Sequence, residues 1–194
     1  MKFKNPDIES SYKESQMGKV LYDAVLETNA KKIIDFGVFN GYSTVCMAMA
    51  AKLTGGTVYA YDLFDDYEFN KPNIKTLEKN FADYNVEDSI EIKKVDFYDW
   101  LKNIEDFDIL HLDISNDGCI ISKLIEATKH TSGLVFFEGG SEERDGQDWM
   151  LKYNKKPICN MQDKYDVINK SEYSDGSRVF HPSISKLKLF SNKT

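Results

Sequence analysis

Short β-branched runs alternate with amphipathic stretches along most of this 194-residue chain. Five of these runs are predicted strands, at residues 32–36, 57–62, 90–95, 107–114 and 133–138. Between them, apolar residues recur at helical spacing, as in Ile74, Leu77 and Phe81, a helix that Pro72 is predicted to begin. Because strand and helix alternate at least four times, the sequence predicts an α/β fold. We expect a doubly wound, mostly parallel sheet with helices on both faces.

Two further strands are predicted at residues 165–169 and 186–190, close together and with no helix between them. This spacing predicts a C-terminal antiparallel hairpin and brings the sheet to seven strands. Ahead of the first strand, a helix is expected around residues 17–25. We expect one domain over residues 1–194, with an N-terminal helical cap at 1–30 and a core at 31–194.

Charge and composition exclude several classes of partner. Lys and Arg number 25 against 32 Asp and Glu, a net charge of −7, which argues against nucleic acid. The N-terminus has no apolar core of a signal peptide, and the longest apolar stretch, 45–51, is too short to span a membrane. Three cysteines distant in sequence fit a reducing compartment. We therefore expect a cytoplasmic protein without membrane contact, and a homodimer is an open option.

Ligands of such sheets bind beyond the carboxyl ends of the strands, so those positions are the candidates for function. The first strand ends in Asp35 and is followed by Gly37, Phe39 and Gly41 before a helix with Ser43 in its first turn. Glycines permit a tight turn and a close backbone approach, and a helix start offers free N–H groups to a carboxylate or phosphate. The alternative is a plain strand-to-helix turn.

Acidic residues also end the second and third predicted strands. Asp62 lies 21 residues after Gly41, the spacing at which a carboxylate grips the hydroxyls of a ribose. Asp96 could accept a hydrogen bond from an exocyclic amino group, with Phe97 flanking a flat ring. Alternatively, Asp96 caps the turn that leads to Trp100, and Phe97 belongs to the core.

The fourth and fifth strands end in Asp113 and Glu138, which should lie on neighbouring strands. Two such carboxylates could hold Mg²⁺ or Ca²⁺, or share a proton. Alternatively, Glu138 pairs with Arg144 or caps its loop. By strand alternation His111 points to the same side as Asp113 but deeper, and we interpret it as a hydrogen-bonded core histidine.

The stretch IIDFGVFNGYSTVCMAMA resembles the first motif of class I S-adenosylmethionine-dependent methyltransferases. It is most similar to the small-molecule O-methyltransferases of the catechol and caffeoyl-CoA type and their bacterial relatives. Their pattern is an acid, Gly, a middle residue other than Gly, Gly, and Tyr-Ser, and here the middle residue is Phe39. A dinucleotide fingerprint needs glycine at that position so that the backbone can approach a pyrophosphate.

The resemblance implies a Rossmann-like fold and nine residues that bind S-adenosylmethionine: Asp35, Gly37, Phe39, Gly41, Ser43, Asp62, Asp96, Phe97 and Asp113. It implies that Ser43 meets the methionine carboxylate and Asp62 the ribose. Asp96 and Phe97 would frame the adenine. Asp113 would lie near the methionine amino group, the transferred methyl or a metal, and Asp35 would organise the glycine loop.

The chain departs from the metal-dependent branch of that group. Those relatives have Asp-Asn after the fifth strand, where this chain has Glu138-Gly139, and no lysine directly follows Asp113. We therefore favour a reaction without a divalent cation. Asp113 and Glu138 are the candidate ligands if Mg²⁺ or Ca²⁺ binds.

The resemblance implies transfer of a methyl group to a small-molecule acceptor, with oxygen as the favoured atom. Our hypothesis is that Asp113 and Glu138 are the catalytic residues that orient or deprotonate this acceptor, with His111 a less favoured candidate. One alternative is an NAD(P)-dependent oxidoreductase on a similar sheet. The other is a non-catalytic cofactor-binding protein that acts through a partner. Four aromatic residues could line an acceptor pocket or else belong to the core: Phe64, Tyr67, Trp100 and Trp149.

Overall fold

A computed structural model describes residues 2–66 and 72–188 of the chain. The strands in these residues are β1 Lys32–Phe36, β2 Thr57–Asp62, β3 Ile90–Lys94, β4 Ile109–Leu112, β5 Leu134–Glu138, β6 Tyr165–Lys170, β7 Tyr173–Ser174, β8 Val179–Phe180 and β9 Ser183–Leu187. Seven of them form one sheet in the order β3-β2-β1-β4-β5-β9-β6. Neighbours among β1 to β5 pair parallel, and β9 pairs antiparallel with both β5 and β6. The predicted mostly parallel, seven-stranded sheet is confirmed.

Helices cover both faces of this sheet, as predicted. They are α1 Gly18–Thr28, α2 Tyr42–Thr54, α3 Ile74–Asp83, α4 Phe97–Trp100, α5 Gly118–Thr128, α6 Glu142–Asp145 and α7 Asp148–Lys152. One hydrophobic cluster joins α1, α2 and α3 to one face of the sheet. A second cluster joins α4 and α5 to the other face.

Strand alternation places a polar row beside the first hydrophobic cluster. Ile33 of β1 and Ile109 of β4 are buried in that cluster. Two residues further along the same strands, Asp35 and His111 point to the same face and are opposite each other in the register. On β5, Glu138 follows the buried Phe136 in the same way. The polar residues therefore lie at the carboxyl ends of the three central strands.

The segment before α1 packs onto the core. Ile8, Tyr12 and Met17 are buried in the first cluster, although this part of the chain is rich in polar residues. Helix α1 lies close against α2, since a Cβ atom on Gly18 would come within 2.3 Å of the Cys46 Sγ atom. In the described part of the chain, no helix has the length and apolar character needed to cross a membrane.

Two predicted boundaries are wrong. Pro72 does not begin α3, because the Asn73 side chain caps this helix by accepting hydrogen bonds from the N–H groups of Lys75 and Thr76. The last strand is Ser183–Leu187 instead of 186–190, and residues 189–190 lie outside the described residues. The predicted hairpin exists as the antiparallel pair β6–β9, but the small sheet β7–β8 is inserted between its strands. Because β6 runs parallel to β5, this insertion begins at the carboxyl edge of the main sheet.

The first glycine of the loop after β1 allows a close approach to the end of β4. A Cβ atom at Gly37 would lie 2.2 Å from the Asp113 carbonyl oxygen, and the residue has φ of 89°. Gly176 has nearly the same φ, 88°, but an added Cβ there would have nothing within 4 Å. Substitutions at Gly37 and Gly176 can therefore separate the cost of backbone strain from the cost of steric overlap.

We expect Gly176→Ala to lower the free energy of unfolding by about 1–2 kcal/mol, the cost of a left-handed conformation with a side chain. Gly37→Ala should cost about 1–3 kcal/mol more, because its Cβ atom overlaps backbone that cannot move aside easily. Urea denaturation of both variants measures this difference. Equal losses of stability in the two variants would contradict the close approach.

Candidate active site

A buried carboxylate organises the carboxyl end of β1. Asp35 is fully buried, and its Oδ2 atom accepts hydrogen bonds from the Ser43 hydroxyl at 2.9 Å and the Thr44 hydroxyl at 2.6 Å. Its Oδ1 atom lies 2.7 Å from the Nδ1 atom of the buried His111. A buried carboxylate is tolerated when donors satisfy both of its oxygens. Asp35 thereby connects β1 with the start of α2 and with β4.

His111 continues this network to the N-terminal segment. Because a carboxylate only accepts, Nδ1 of His111 carries the proton that is donated to Asp35, and Nε2 is left as an acceptor. The Tyr12 hydroxyl lies 3.3 Å from Nε2 and donates to it. Burial, together with the negative charges of Asp113 and Glu138, raises the pKa of Tyr12 well above its ordinary value. The interpretation of His111 as a hydrogen-bonded core residue is confirmed.

At the end of β5, Glu138 is paired with the side chain of Arg144 from α6. Glu138 is 4% exposed and accepts two hydrogen bonds from Arg144, from Nε at 2.6 Å and from Nη2 at 3.2 Å. Ser141 caps α6 by accepting from the Arg144 N–H group, which places this residue in the first turn of the helix. The Arg144 guanidinium carbon lies 4.8 Å from the centre of the Trp149 ring. Of the sequence-based alternatives, the Glu138–Arg144 pair is therefore present.

Asp113 follows β4 beside this pair, and its N–H group donates to the Phe36 carbonyl oxygen at 2.8 Å. Burial raises the pKa of Asp113 well above its ordinary value, the charge of Glu138 raises it further, and Arg144 partly offsets both. Three carboxyl groups, those of Asp35, Asp113 and Glu138, thus share this edge with one guanidinium. An arrangement with that surplus of acid favours a positively charged ligand.

The glycine loop reaches the start of α2 through a strained residue. Phe39 has φ of 44°, a conformation that costs a residue with a side chain about 1–2 kcal/mol, and its ring is partly exposed. Gly41 caps α2 with φ of 85°. The Ser43 hydroxyl proton is donated to Asp35, so a carboxylate at this helix start would meet the backbone N–H groups of the first turn. Strain retained in this loop fits a binding role.

Hydrogen bonds of Asp62 connect the glycine loop with the end of β2. Its Oδ2 atom accepts from the Val38 N–H group at 2.8 Å, and its Oδ1 atom accepts from the Phe64 N–H group at 3.1 Å. A carboxylate has about four acceptor positions, so both oxygens retain the capacity to accept from a ligand. Asp62 therefore connects the glycine loop with the end of β2, where a ribose contact is predicted.

At the end of β3, Asp96 and Phe97 have the roles given above as alternatives to adenine binding, a helix cap and a core residue. Asp96 caps α4 by accepting from the Asp99 N–H group at 3.0 Å. Phe97 is buried in the second cluster, with its ring 5.5 Å from that of Phe36 and stacked on Trp100 at 6.3 Å. Neither side chain is brought to the Asp113–Glu138 group by these contacts, and their contact with adenine stays a prediction.

The four aromatic residues that could line an acceptor pocket differ in their positions. Trp100 and Phe64 are core residues. Trp149 packs on Arg144 at the end of β5. Tyr67 lies outside the described residues. Of the three candidates that lie in described residues, Trp149 is therefore the one beside Arg144.

Sequence reasoning missed Tyr12 altogether. This residue lies in the polar run 9–15, which shows neither helical nor strand periodicity, so nothing in the pattern signals that its ring is buried. Asn116, buried beside the end of β5, was missed as well. Arg144 was considered only as the alternative partner of Glu138.

Comparisons with known proteins agree with this geometry. A family model described as a methyltransferase domain matches residues 34–133, just over half of the chain. The span begins in β1 and includes the glycine loop and the ends of β1 to β4. A search of curated proteins gives no significant match.

Solved structures share the fold at low sequence identity. The O-methyltransferase TomG from Streptomyces achromogenes, determined with S-adenosylmethionine, has a TM-score of 0.60 and 15% identity, over 94% of this chain and 83% of its own. An O-methyltransferase from Bacillus cereus with S-adenosylhomocysteine has a TM-score of 0.60 and 16% identity, over 95% and 84%. A methyltransferase from Podospora anserina with S-adenosylhomocysteine has a TM-score of 0.56 and 13% identity, over 93% and 80%.

Removing the Tyr12 hydroxyl should lower the free energy of unfolding without creating a cavity the size of a ring in the core. Tyr12→Phe keeps the ring and leaves the buried Nε2 atom of His111 without a donor, which costs about 1–3 kcal/mol. Urea denaturation measures the loss. Tyr153→Phe is the control, since Tyr153 is 62% exposed and its change should stay within about 0.5 kcal/mol. A Tyr12→Phe variant as stable as the wild type would show that this hydrogen bond contributes nothing.

Replacing Asp113 with Asn should stabilise the fold, and more so at higher pH. The pKa of Asp113 in the folded state lies above its ordinary value of 3.8, so the folded state binds more protons than the unfolded state. The wild type therefore loses stability as the pH rises through the folded-state pKa, and Asn does not. Melting temperatures of Asp113→Asn and wild type should diverge as the pH rises from about 4, near the ordinary pKa, to about 8. The exposed Asp88→Asn is the control, and a constant difference for Asp113→Asn would contradict the raised pKa.

Proposed function

The chain belongs to the methyltransferase domain family, and we propose that it transfers the methyl group of S-adenosylmethionine to an oxygen atom of a small-molecule acceptor. The observation that carries this proposal is the glycine loop between β1 and α2, which opens onto an edge with three carboxyl groups and one arginine. A sulfonium cofactor is positively charged, so it suits the acidic surplus at this edge. The ligands of TomG and of the Bacillus cereus enzyme support the same cofactor here.

The proposed cofactor site is built from the loop and its two acids. The first-turn N–H groups of α2 would bind the methionine carboxylate, since they have no partner within the helix. Asp62, held at the loop by the N–H group of Val38, would accept from the ribose hydroxyls. Asp35 would contribute indirectly, because it fixes the hydroxyls of Ser43 and Thr44 at the helix start.

The oxidoreductase alternative fits this loop less well. A dinucleotide needs a bare backbone in the middle of the glycine loop, and Phe39 stands there with φ of 44°. The non-catalytic alternative is less favoured because the Asp113 and Glu138 carboxyls lie together at the edge where an acceptor would meet the cofactor. Structural proteins have no general need for such a costly cluster.

The cofactor supplies an activated methyl group when it is bound. The protein then has to align the acceptor oxygen with that methyl group, exclude water and receive the proton of the acceptor. Asp113 is suited to receive this proton, because its pKa is raised towards the range in which a carboxyl group exchanges protons. Glu138 is engaged with Arg144, so its proposed contribution is to orient that side chain.

We propose that residues 1–194 act as one domain, with the N-terminal segment closing the acceptor side. Ile8 and Met17 are buried against the core, and Tyr12 reaches His111 in the row of polar residues. Water exclusion by such a cover is what methyl transfer requires.

The cofactor proposal predicts that S-adenosylhomocysteine binds and raises the melting temperature, whereas NADH does not. Asp62→Asn should weaken binding of S-adenosylhomocysteine about tenfold or more, because a hydrogen bond to a charged group contributes about 1.5–3 kcal/mol. Thermal denaturation with each ligand measures the melting temperatures, and isothermal titration calorimetry measures the affinities. Asp66→Asn is the matched control, since this nearby acid is exposed and paired with Lys94. Stabilisation by NADH and not by S-adenosylhomocysteine would overturn the proposal.

A further inference from the structure

We propose that the Arg144 guanidinium takes the place of a divalent cation in this protein and binds an anionic oxygen of the acceptor. The inference rests on the proposed function, since it concerns the same site. The residues at the end of β5 differ from the metal site expected in the metal-dependent branch of similar O-methyltransferases.

The carboxylates do not fit a metal. A hard cation such as Mg²⁺ needs several converging oxygen ligands. Both oxygens of Glu138 accept hydrogen bonds from Arg144, at 2.6 and 3.2 Å, so they already face a cation. Across residues 2–66 and 72–188, no group of three or more His, Cys, Asp or Glu side chains is arranged to hold a metal ion.

The position after Glu138 has no space for a third ligand. A Cβ atom at Gly139 would lie 1.6 Å from the Asn116 Oδ1 atom, and Gly139 has φ of 102°. Asn116 itself is 2% exposed and directs its Nδ2 group at Asp145 and at the sulfur of Met150, each at 3.5 Å. An amide from the β4 loop thus fills the volume that a ligand side chain at residue 139 would need. Asp113 is then the one carboxylate of the expected set that Arg144 does not bind directly.

Arg144 is held so that part of its guanidinium is available. Two of its five N–H groups donate to Glu138, which leaves three for other partners. The side chain is 20% exposed, and the Trp149 ring lies 4.8 Å from the guanidinium carbon. The carboxylate on one side and the indole on the other fix the group before any ligand arrives. Such fixed positioning reduces the entropy lost on binding.

This arrangement selects the chemistry of the acceptor. A guanidinium binds anionic oxygens through parallel N–H bonds, and it keeps its charge at any physiological pH. The indole of Trp149 offers a flat apolar surface beside it. We therefore expect an acceptor with a carboxylate or phenolate oxygen on a planar ring. Arg144 would stabilise that oxygen by its positive charge and its remaining N–H groups.

The first arm of the test is metal binding, measured by electron paramagnetic resonance with Mn²⁺ on protein loaded with S-adenosylhomocysteine. We expect no stoichiometric Mn²⁺ site in the wild type. Mn²⁺ bound at one ion per chain and lost in Asp113→Asn would overturn the inference. If S-adenosylhomocysteine itself fails to bind, the proposed function fails first, so the two failures are distinguishable.

The second arm is calorimetry with benzoate and para-nitrophenolate on the same loaded protein, with benzamide as the uncharged control probe. Wild type should bind at least one of the two anions, and which one it binds more tightly separates a carboxylate from a phenolate. Arg144→Met should weaken that binding at least tenfold and leave S-adenosylhomocysteine binding unchanged. Millimolar guanidinium ion should restore part of the anion affinity. Lys170→Met is the matched control, since Lys170 pairs with Glu143 in the same region and should not matter.

Arg144→Met leaves Glu138 buried and unpaired, which destabilises the fold. Glu138→Gln combined with Arg144→Met removes both charges and keeps the shapes of the side chains. The double variant should bind S-adenosylhomocysteine and lose the anion affinity. Anion binding unchanged in the double variant, or benzamide bound as tightly as benzoate by the wild type, would overturn the inference.

Discussion

The burial of the Asp35 carboxylate is the constraint on which the rest of this site depends. A carboxylate at zero exposure in the middle of a sheet is costly unless donors surround it. Ser43 and Thr44 supply two of these donors from the first turn of α2, and His111 supplies the third from β4. One acid thereby fixes where the loop ends, how the helix starts and which tautomer the histidine adopts.

The same network explains why the N-terminal segment is part of the site. Once Nδ1 of His111 is committed to Asp35, its buried Nε2 atom needs a donor, and the Tyr12 hydroxyl provides it. The segment is therefore anchored by a polar contact as well as by the apolar contacts of Ile8 and Met17. The proposed cover of the acceptor side is in this way connected, through His111 and Asp35, to the start of α2 that is proposed to bind the cofactor.

The sequence allowed the sheet and its acidic edge to be predicted, because parallel strands have a clear pattern and their carboxyl ends must meet. It did not reveal side-chain partners. Asp96 and Phe97 fit an adenine site by position, yet capping of α4 and packing on Phe36 compete for the same side chains. Tyr12 was invisible, since its burial depends on a histidine 99 positions away in the chain. Local pattern carries no information on such distant pairs.

Part of the acidic surplus of the chain lies at this carboxyl edge of the sheet. The oxygens of Asp35 accept hydrogen bonds, and Glu138 is paired with Arg144. Among the described residues, Asp113 forms no salt bridge. Burial, followed by the charge of Glu138, raises the pKa of Asp113 above its ordinary value. A sulfonium ligand would lower this pKa, because a positive charge nearby favours the ionised carboxyl. A bound sulfonium would therefore favour the ionised form of Asp113, which is the form that the proposed proton transfer from the acceptor requires.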